Sequence, residues 1–419
     1  MPPPKLIGPF TQILTLAGMP AKGPLKDDAL QIIQQGGVLV EGAVIREVGD
    51  FDRLLRQHKG KSMQVEEVEP GQVLLPGFID AHTHMCFAGS RAGDYALKVA
   101  GSSYQDILAA GGGIHDTVAK TRAASKEELV RLLRQRCDRH LGEGVTTAEV
   151  KSGYGLSVEQ ELKMLRAIAR VGAEHLLDLV PTCLAAHVKP KEFASEEAYL
   201  EVLLQELLPT LKDQGLTERI DVFVEKGAFP PEIARPFLQQ AKALGFSLTL
   251  HADQFSTGGS ALAVETGALS ADHLEASGEA EIELLARSAV VAVVLPGASL
   301  GLGMPFAPAR KLLDAGACLA IATDWNPGSA PMGDLLLQAA VLGAAQKLST
   351  AETFAGITYR AARTLALPDR GTVAAGGKAD FISFPTADYR EILYQQGKLK
   401  PIRVWKNGSS VPPPLPKAV

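Results

Sequence analysis

Residues 73–84 read VLLPGFIDAHTH, an almost uninterrupted apolar run that ends in two histidines. Continuous apolar runs of this length are typical of parallel strands that are covered by helices on both faces. Alternate residues of a strand point to the same side, so His82 and His84 can face one point beyond its end. The run therefore predicts a buried parallel strand with two imidazoles at its carboxyl end.

Seven further strand-like runs follow, separated by segments with helical spacing. The second run is Gly144–Gly155, the third ends at His187, the fourth is Ile220–Phe229, and the others begin near Ser247, Ala268, Val290 and Ala317. Ser125 and Ser157 begin capping boxes ahead of two amphipathic segments, and a helical insertion over about residues 91–122 lengthens the first unit. Eight such units predict an α/β protein whose residues 73–366 form a (β/α)8 TIM-type barrel, rather than an open doubly wound sheet.

The two ends of the chain have a different pattern. Residues 36–49 (GGVLVEGAVIREVG), 370–384 (RGTVAAGGKADFISF) and 401–409 (PIRVWKNGS) alternate short β-rich runs with glycine. We expect residues 1–72 and 367–419 to pair into one small β-sandwich domain beside the barrel.

Composition limits the kinds of partner. The net charge is -5 over 419 residues, and no cluster of basic residues interleaved with aromatics occurs. Nucleic acid and anionic membrane surfaces are therefore not expected partners. The uncharged segment 289–309 contains too many Pro and Gly residues for a membrane span, and we interpret it as a buried strand followed by a Gly-rich loop.

The four cysteines (Cys86, Cys137, Cys183 and Cys318) include no Cys-x-x-Cys pair, which argues against a disulfide framework or a structural zinc cluster. The first residues, MPPPKLIGPF, lack the apolar core of a signal peptide. A cytoplasmic location is expected. A homodimer is compatible with an enzyme of this size.

Polar residues recur where the predicted strands end, which is where barrels of this type carry their chemistry. The positions are His82, His84, His187, His251, His273 and Asp324, and they include five of the nine histidines. One such histidine alone is readily explained as a structural residue. Several imidazoles and a carboxylate converging on one point would be costly unless a cation organised them. Histidine and carboxylate ligands suit zinc or ferrous iron with a position left open for water, so the sequence predicts a divalent metal site. Asp324 could both bind this ion and accept a proton from the water.

The same residues carry a resemblance to a known family. His82-Thr-His84 after PGFIDA, His251, His273 and Asp324, in this order, resemble the amidohydrolase superfamily over nearly the whole chain, including the split β-sandwich. The runs HTHMCFAGSR, GGGI, TVAKTRAAS, EVKSGYGL, HADQF, SADHLE and ATDWNPGSAP are similar, within it, to the imidazolonepropionase family. That resemblance implies hydrolysis of the cyclic amide of 4-imidazolone-5-propanoate to N-formimidoyl-L-glutamate in histidine degradation.

The resemblance also implies roles for individual residues. His82, His84, His251 and Asp324 would hold one zinc or iron ion. Arg91 would bind the carboxylate of a small-molecule substrate, a role that suits its planar, bidentate guanidinium. The other implied substrate contacts are Tyr154, His187, Asn326, Gly328 and Ser329.

Gln254 leaves the proton donor open. Related deaminases carry a glutamate three residues after the histidine of the fifth strand, whereas this chain has Gln254, which cannot exchange protons. Gln254 could hydrogen-bond the substrate ring, and proton delivery to the leaving nitrogen then falls to Asp324 or His273. Binuclear relatives use a lysine on the fourth strand, and Glu225-Lys226 occupies that region here.

Two alternatives stay open at this level. A related amidohydrolase that deaminates or opens another small heterocycle would share the metal ligands but would not require Arg91. A barrel that has lost catalysis and serves as a scaffold would be expected to have broken ligands, and all the expected ligands are present.

Overall fold

The computed structural model describes residues 3–59, 62–102 and 111–411. The predicted domain ranges also include residues 1–2, 60–61 and 412–419, and the predicted helical insertion includes residues 103–110. All of these lie outside the described residues.

Strands and helices alternate through most of the described chain. In chain order the strands are β1 (Lys5–Leu14), β2 (Ile32–Glu41), β3 (Val44–Asp50), β4 (Gln64–Glu67), β5 (Val73–Pro76), β6 (Phe78–Asp80), β7 (Val145–Lys151), β8 (Asp178–Ala186), β9 (Arg219–Val224), β10 (Ser247–Ala252), β11 (Ser270–His273), β12 (Val291–Val294), β13 (Leu319–Ile321), β14 (Phe381–Phe384), β15 (Arg403–Lys406) and β16 (Ser409–Val411). The α-helices span Phe51–Gln57, Ala92–Val99, Ile114–Ala123, Lys126–Gly142, Val158–Glu174, Glu196–Val202, Leu208–Gln214, Pro231–Ala243, Gly259–Thr266, Glu279–Arg287, Pro296–Leu302, Ala309–Asp314, Leu335–Gln346, Thr350–Gly356, Tyr359–Thr364 and Arg390–Tyr394. A 3₁₀ turn spans Asp27–Ala29, and a π-helical turn spans Leu203–Leu207.

Strands β6 to β13 form the barrel. Each strand pairs in parallel with the next along the chain, and every residue of β7 and β12 is buried. Burial on both faces is expected of parallel strands that helices cover. The eight predicted barrel strands and the TIM-type fold are thus confirmed.

The barrel closes just beyond the carboxyl ends of its first and last strands. The amide of Asp324 donates to the carbonyl of His82 at 3.0 Å, and the amide of His84 donates to the carbonyl of Trp325 at 3.0 Å. Below them, the carboxylate of Asp80 accepts hydrogen bonds from Thr323 N at 3.0 Å and Thr323 Oγ1 at 2.6 Å. These hydrogen bonds fix the relative positions of the two segments that carry predicted metal ligands.

Both predicted capping serines begin helices, but the return bonds that would complete the capping boxes are absent: Glu128 accepts from Arg131, and Gln160 Oε1 has no partner. Ser125 and Ser157 are N-cap residues whose hydroxyls accept hydrogen bonds from the amides of Glu128 and Gln160, at 3.1 Å and 3.4 Å. The helices that follow pack against each other and against the barrel strands.

The terminal segments form a second sheet, in the order β16-β15-β14-β5-β1-β2-β3, with β4 paired to β1. Two strands separate β15 from β1, yet the ring centroids of Phe10 and Trp405 lie 5.8 Å apart. The sheet must therefore fold over on itself, with both aromatic rings in the apolar core between its halves. This confirms a small β-sandwich built from both ends of the chain.

The run that begins at Val73 is a correction to the sequence interpretation. It is two strands in two sheets: β5 pairs with β1 and β14 in the sandwich, whereas β6 pairs with β7 in the barrel. Gly77 lies between them, where a Cβ would lie 2.3 Å from Thr146 Oγ1. The chain thus passes from the sandwich into the barrel at a close approach that only glycine allows.

The segment after β12 also differs from expectation. Residues Pro296–Leu302 form a short helix rather than a Gly-rich loop. Pro296 stands in its first turn, where a fixed φ favours a helix, and Gly303 ends it in the left-handed conformation at φ 71°. In the described part of the chain, no helix combines the length and apolar character needed to cross a membrane.

Candidate metal centre and active site

Three imidazoles and one carboxylate converge at the carboxyl end of the barrel. His82 and His84 follow β6, His251 lies in β10, and Asp324 follows β13. The Nε2 atom of His84 lies 3.2 Å from His82 Nε2, 3.3 Å from His251 Nε2 and 3.2 Å from Asp324 Oδ1. All four side chains are buried. The structure therefore brings together the four residues that the resemblance implied as metal ligands.

The donor set fits a divalent metal ion. His82 Nδ1 lies 2.7 Å from Asp272 Oδ2 and His251 Nδ1 lies 2.9 Å from Asp221 Oδ2, so each ring presents Nε2, with its lone pair, to the centre. Two such lone pairs cannot hydrogen-bond each other. Tetrahedral coordination with metal–nitrogen bonds of about 2.0–2.1 Å separates two ligand nitrogens by roughly 3.3 Å, which is close to the spacing found here. The buried Asp324 Oδ1 has no hydrogen-bond partner, as expected for a metal ligand.

The protonation states of these side chains also suit metal binding. Burial lowers the pKa of His82 well below its usual value, with a further contribution from the charge of Lys151. Burial also lowers the pKa of His251 to about 4. Burial alone would raise the pKa of Asp324, but the adjacent imidazoles of His82 and His84 outweigh burial and hold that pKa well below the usual value. Neutral imidazoles and an ionised carboxylate are the forms in which these groups bind metals.

His273 lies beside the centre but has a different environment. Its ring centroid is 5.1 Å from that of His251, and its Nδ1 is 3.6 Å from Glu275 Oε2. Burial acts to lower its pKa, but Glu275 and Asp324 outweigh burial, so the pKa is raised. His273 and Asp324 both have positive φ, 90° and 54°. Non-glycine residues held in this region often occur at functional sites.

A cavity of about 600 Å³ opens above the centre. Every predicted site residue except His82, which lies deeper, lines it; these are His84, Arg91, Tyr154, His187, Gln254, His251, His273, Asp324, Asn326, Gly328 and Ser329. Sequence reasoning did not identify several other lining residues, among them Asp94, Lys98, Phe223 and Met304.

Arg91 is held at the side of the cavity by Asp94. Its Nε donates to Asp94 Oδ2 at 2.8 Å, and the same oxygen accepts the amide of Gly113 at 2.9 Å. Burial would raise the pKa of Asp94, but the Gly113 amide and Arg91 lower it, so the carboxylate is ionised at neutral pH. The i,i+3 spacing of Arg91 and Asp94 at the start of a helix is the signal that could have revealed this pair.

Aromatic rings form one wall of the cavity. The rings of His84 and His187 are stacked, with centroids 5.6 Å apart, and Tyr154 lies 5.6 Å from His187. His187 Nδ1 lies 3.0 Å from the carbonyl of Gly153, so that nitrogen is the donor, and burial lowers the ring's pKa to about 3. A neutral His187 therefore presents its other nitrogen as an acceptor.

Glu161, which sequence reasoning missed, holds the loop that carries Tyr154. Its fully buried carboxylate accepts hydrogen bonds from the amides of Gly153, Gly155 and Leu156 at 2.7–2.9 Å. A charged residue on the inner face of the amphipathic helix Val158–Glu174 was the available signal.

The loop after β13 is stabilised from within. Asn326 Oδ1 accepts the amides of Gly328 and Ser329, at 2.7 Å and 2.8 Å, and Asn326 Nδ2 donates to the carbonyl of Asp324 at 2.7 Å. Ser329 Oγ lies 3.3 Å from Asp324 Oδ2. The Asn326 amide thus shapes the loop around Asp324, while Gly328 and Ser329 lie at the cavity surface.

The region after β9 supports the loop that follows β10. The buried Glu225 accepts the amides of Phe255 and Ser256, at 2.9 Å and 3.2 Å, and so fixes the chain next to Gln254. Lys226 is exposed. Neither side chain of this pair joins the imidazole cluster.

Comparison with known proteins gives a consistent family. The profile of the Amidohydrolase family matches residues 73–411. An imidazolonepropionase of Deinococcus radiodurans is 44% identical over 389 residues, covering 93% of this chain and 94% of that protein. An imidazolonepropionase of Bdellovibrio bacteriovorus is 40% identical over 410 residues, covering 97% and 96%.

Solved structures share the fold at low sequence identity. A triazine hydrolase variant matches with a TM-score of 0.73 at 18% identity, covering 98% of this chain and 95% of that one. An adenosine deaminase from Xanthomonas campestris with bound zinc matches with a TM-score of 0.67 at 19% identity, covering 99% and 94%. From the family profile and the curated relatives, the chain belongs to the amidohydrolase family and, within it, to the imidazolonepropionases.

Proposed function

We propose that the protein hydrolyses the cyclic amide of 4-imidazolone-5-propanoate to N-formimidoyl-L-glutamate, a ring-opening step of histidine degradation. One observation carries the proposal beyond the names of the relatives: a single cavity has the metal donor set at its floor and Arg91 at its side. A flat ring with a propionate arm needs both features, because the amide must reach the centre while the carboxylate meets a cation.

The chain's own residues have separate tasks in this reaction. Arg91, oriented by Asp94, binds the propionate carboxylate, and the rings of Tyr154 and His187 hold the substrate ring. Asp324, which is ionised and lines the cavity, accepts a proton from the attacking water. The water oxygen bonds to the carbonyl carbon, the carbon–nitrogen bond breaks, and the leaving nitrogen takes a proton.

His273 is the proposed donor of that proton. Its raised pKa favours the imidazolium form, whereas Gln254 has no proton to exchange. When bound by His82, His84, His251 and Asp324, a divalent ion supplies Lewis acidity, which polarises a carbonyl and makes water more acidic. Nitrogen and carboxylate donors suit zinc and iron alike, so we propose one ion of either metal.

The experiment is turnover of freshly prepared 4-imidazolone-5-propanoate by the zinc-loaded and iron-loaded protein, followed as loss of ring absorbance. Parallel samples contain cytosine and guanine, with ammonia release as the readout. Ring opening that is abolished by a chelator and restored by metal would support the proposal. Ammonia release from a base, without ring opening, would instead assign the alternative activity of an amidohydrolase acting on another small heterocycle.

We also propose a cytoplasmic location, which the four buried, unbridged cysteines support because thiols persist in a reducing compartment. A homodimer stays a prediction, which the molar mass in solution would test.

A further inference from the structure

A lysine lies directly beneath the cluster of metal-binding residues. Lys151 ends β7 and is completely buried. Its Nζ lies 2.8 Å from Glu149 Oε2, 2.8 Å from Asp221 Oδ2 and 3.9 Å from Asp272 Oδ2. These carboxylates come from three different barrel strands, so one ammonium group connects β7, β9 and β11.

Two of the three carboxylates also contact imidazoles of the metal centre. Asp221 Oδ2 lies 2.9 Å from His251 Nδ1, and Asp272 Oδ2 lies 2.7 Å from His82 Nδ1. A single carboxylate residue therefore separates Lys151 from each of two ligand imidazoles. Glu149 differs, because its partners are Lys151, Thr182 and Arg219, and it contacts neither imidazole.

The charges of this buried network are unequal. Lys151 and Arg219 are its cations, whereas Glu149, Asp221, Asp272 and Asp324 are its carboxylates. The buried carboxylates of this network thus outnumber its buried cations. Buried charges that are not paired are costly, so this imbalance favours a cation bound nearby.

We propose that Lys151 is a positioning residue for the metal centre: its ammonium group pairs with Asp221 at 2.8 Å, lies 3.9 Å from Asp272, and through these carboxylates helps to orient the His251 and His82 rings toward one ion. The inference rests on the metal site of the proposed function. Buried ion pairs are weak sources of fold stability compared with well-packed apolar groups, so orientation of the ligands is the better account of a lysine at this position.

The test replaces Lys151 in a background that keeps the charges balanced. Lys151→Met alone removes the ammonium group and leaves three buried carboxylates without their shared cation. Lys151→Met combined with Glu149→Gln removes one positive and one negative charge, and Glu149→Gln alone is the matched control, since Glu149 contacts no ligand. All variants are compared with the unaltered protein by zinc competition against a chelator and by the visible spectrum of the cobalt-loaded form.

We expect the double variant to unfold within a few degrees of Glu149→Gln, yet to bind zinc roughly 10–100-fold more weakly, the usual effect of losing a group that orients a metal ligand. Its cobalt bands should shift, whereas those of Glu149→Gln should not. Equal zinc affinity and unchanged cobalt bands in the two variants would overturn the inference. Failure of the double variant to fold would also overturn it, because Lys151 would then support the barrel rather than the ligands.

The outcome for the unaltered protein separates this inference from the proposed function. If that protein binds neither zinc nor cobalt, the metal site itself is wrong. If it binds both and only the effect of Lys151 is missing, the metal site stands and the positioning role alone fails.

Discussion

The guanidinium of Arg91 lies against the backbone of Gly328, so that a Cβ at Gly328 would stand 2.4 Å from Arg91 Nη1. The contact joins the segment after the first barrel strand to the loop after the last one. Asp94 holds the opposite edge of the same guanidinium through Nε. The cation that would receive the substrate carboxylate is thus confined between a carboxylate and a glycine.

Gly328→Ala should displace Arg91 and weaken substrate binding. Gly328 does not have a positive φ, so the added methyl group acts through space and not through backbone strain. We expect KM for 4-imidazolone-5-propanoate to rise roughly tenfold, or about 1.4 kcal/mol, with a smaller effect on kcat. Steady-state kinetics measure this. Gly93→Ala is the matched control, because a Cβ at Gly93 meets nothing within 4 Å; an equal effect of both changes would contradict the account.

Arg91→Ala should raise KM more than Gly328→Ala does, because it removes the positive charge instead of only displacing it. A bidentate ion pair contributes about 2–3 kcal/mol, so we expect KM to rise roughly 100-fold. Arg91→Lys should restore only part of the binding, since lysine keeps the charge but lacks the planar pair of donors. An unchanged KM in Arg91→Ala would remove this residue from the substrate site.

The barrel could be predicted because most of its strands lie in largely apolar runs with a recognisable end. The convergence of the candidate metal ligands could be predicted for the same reason, since their positions follow from where those strands stop. The division between β5 and β6 was missed, although Pro76-Gly77 within the apolar run is a recognised break signal. Apolar runs alone do not indicate which of two sheets a strand joins.

The supporting residues were harder to find. Asp94, Glu161 and Lys151 act through hydrogen bonds or ion pairs to groups whose proximity depends on the folded chain. Glu149 and Lys151 did give a signal in the sequence, because they are two charged residues on one side of a strand that is otherwise uncharged. Their partners Asp221 and Asp272 lie on other strands, so the network could not be assembled from the sequence.

Asp324→Ala should abolish turnover and weaken metal retention while leaving the fold intact. The side chain is a proposed ligand and the proposed proton acceptor, so both functions should be lost together. Circular dichroism should match that of the unaltered protein, and metal content after dialysis should fall. Near-normal turnover would contradict both roles of this residue.

Asp178→Asn should destabilise the protein at neutral pH but much less in acid. Asp178 begins β8 of the barrel and accepts hydrogen bonds from Arg370 at 2.6 Å and Lys406 at 2.9 Å, which belong to the C-terminal segment. Burial would raise its pKa, but Lys406 and Lys378 outweigh burial and lower it. A lowered pKa means that the ionised carboxylate stabilises the fold above its unfolded value of about 3.9, and that this stability is lost as pH falls through the folded pKa.

The expected loss of unfolding free energy in Asp178→Asn is about 2 kcal/mol near pH 7, between the values for exposed and buried ion pairs. The difference between variant and unaltered protein should shrink below about pH 4. Urea unfolding at several pH values measures both quantities. A difference that is independent of pH would show that the carboxylate's charge is not what joins the barrel to the sandwich.

His273→Asn should separate proton delivery from metal binding. His273 can form a ligand group with His82 and Asp324, but it also pairs with Glu275, which favours its protonated form. If His273 is the proton donor, kcat should fall roughly 10²–10⁴-fold while metal content and KM stay nearly constant. Gln254→Leu, at a residue with no proton to transfer, should lower kcat far less. Loss of metal from His273→Asn would make His273 a ligand instead, and a larger loss of kcat in Gln254→Leu would place proton delivery on the Gln254 side of the cavity.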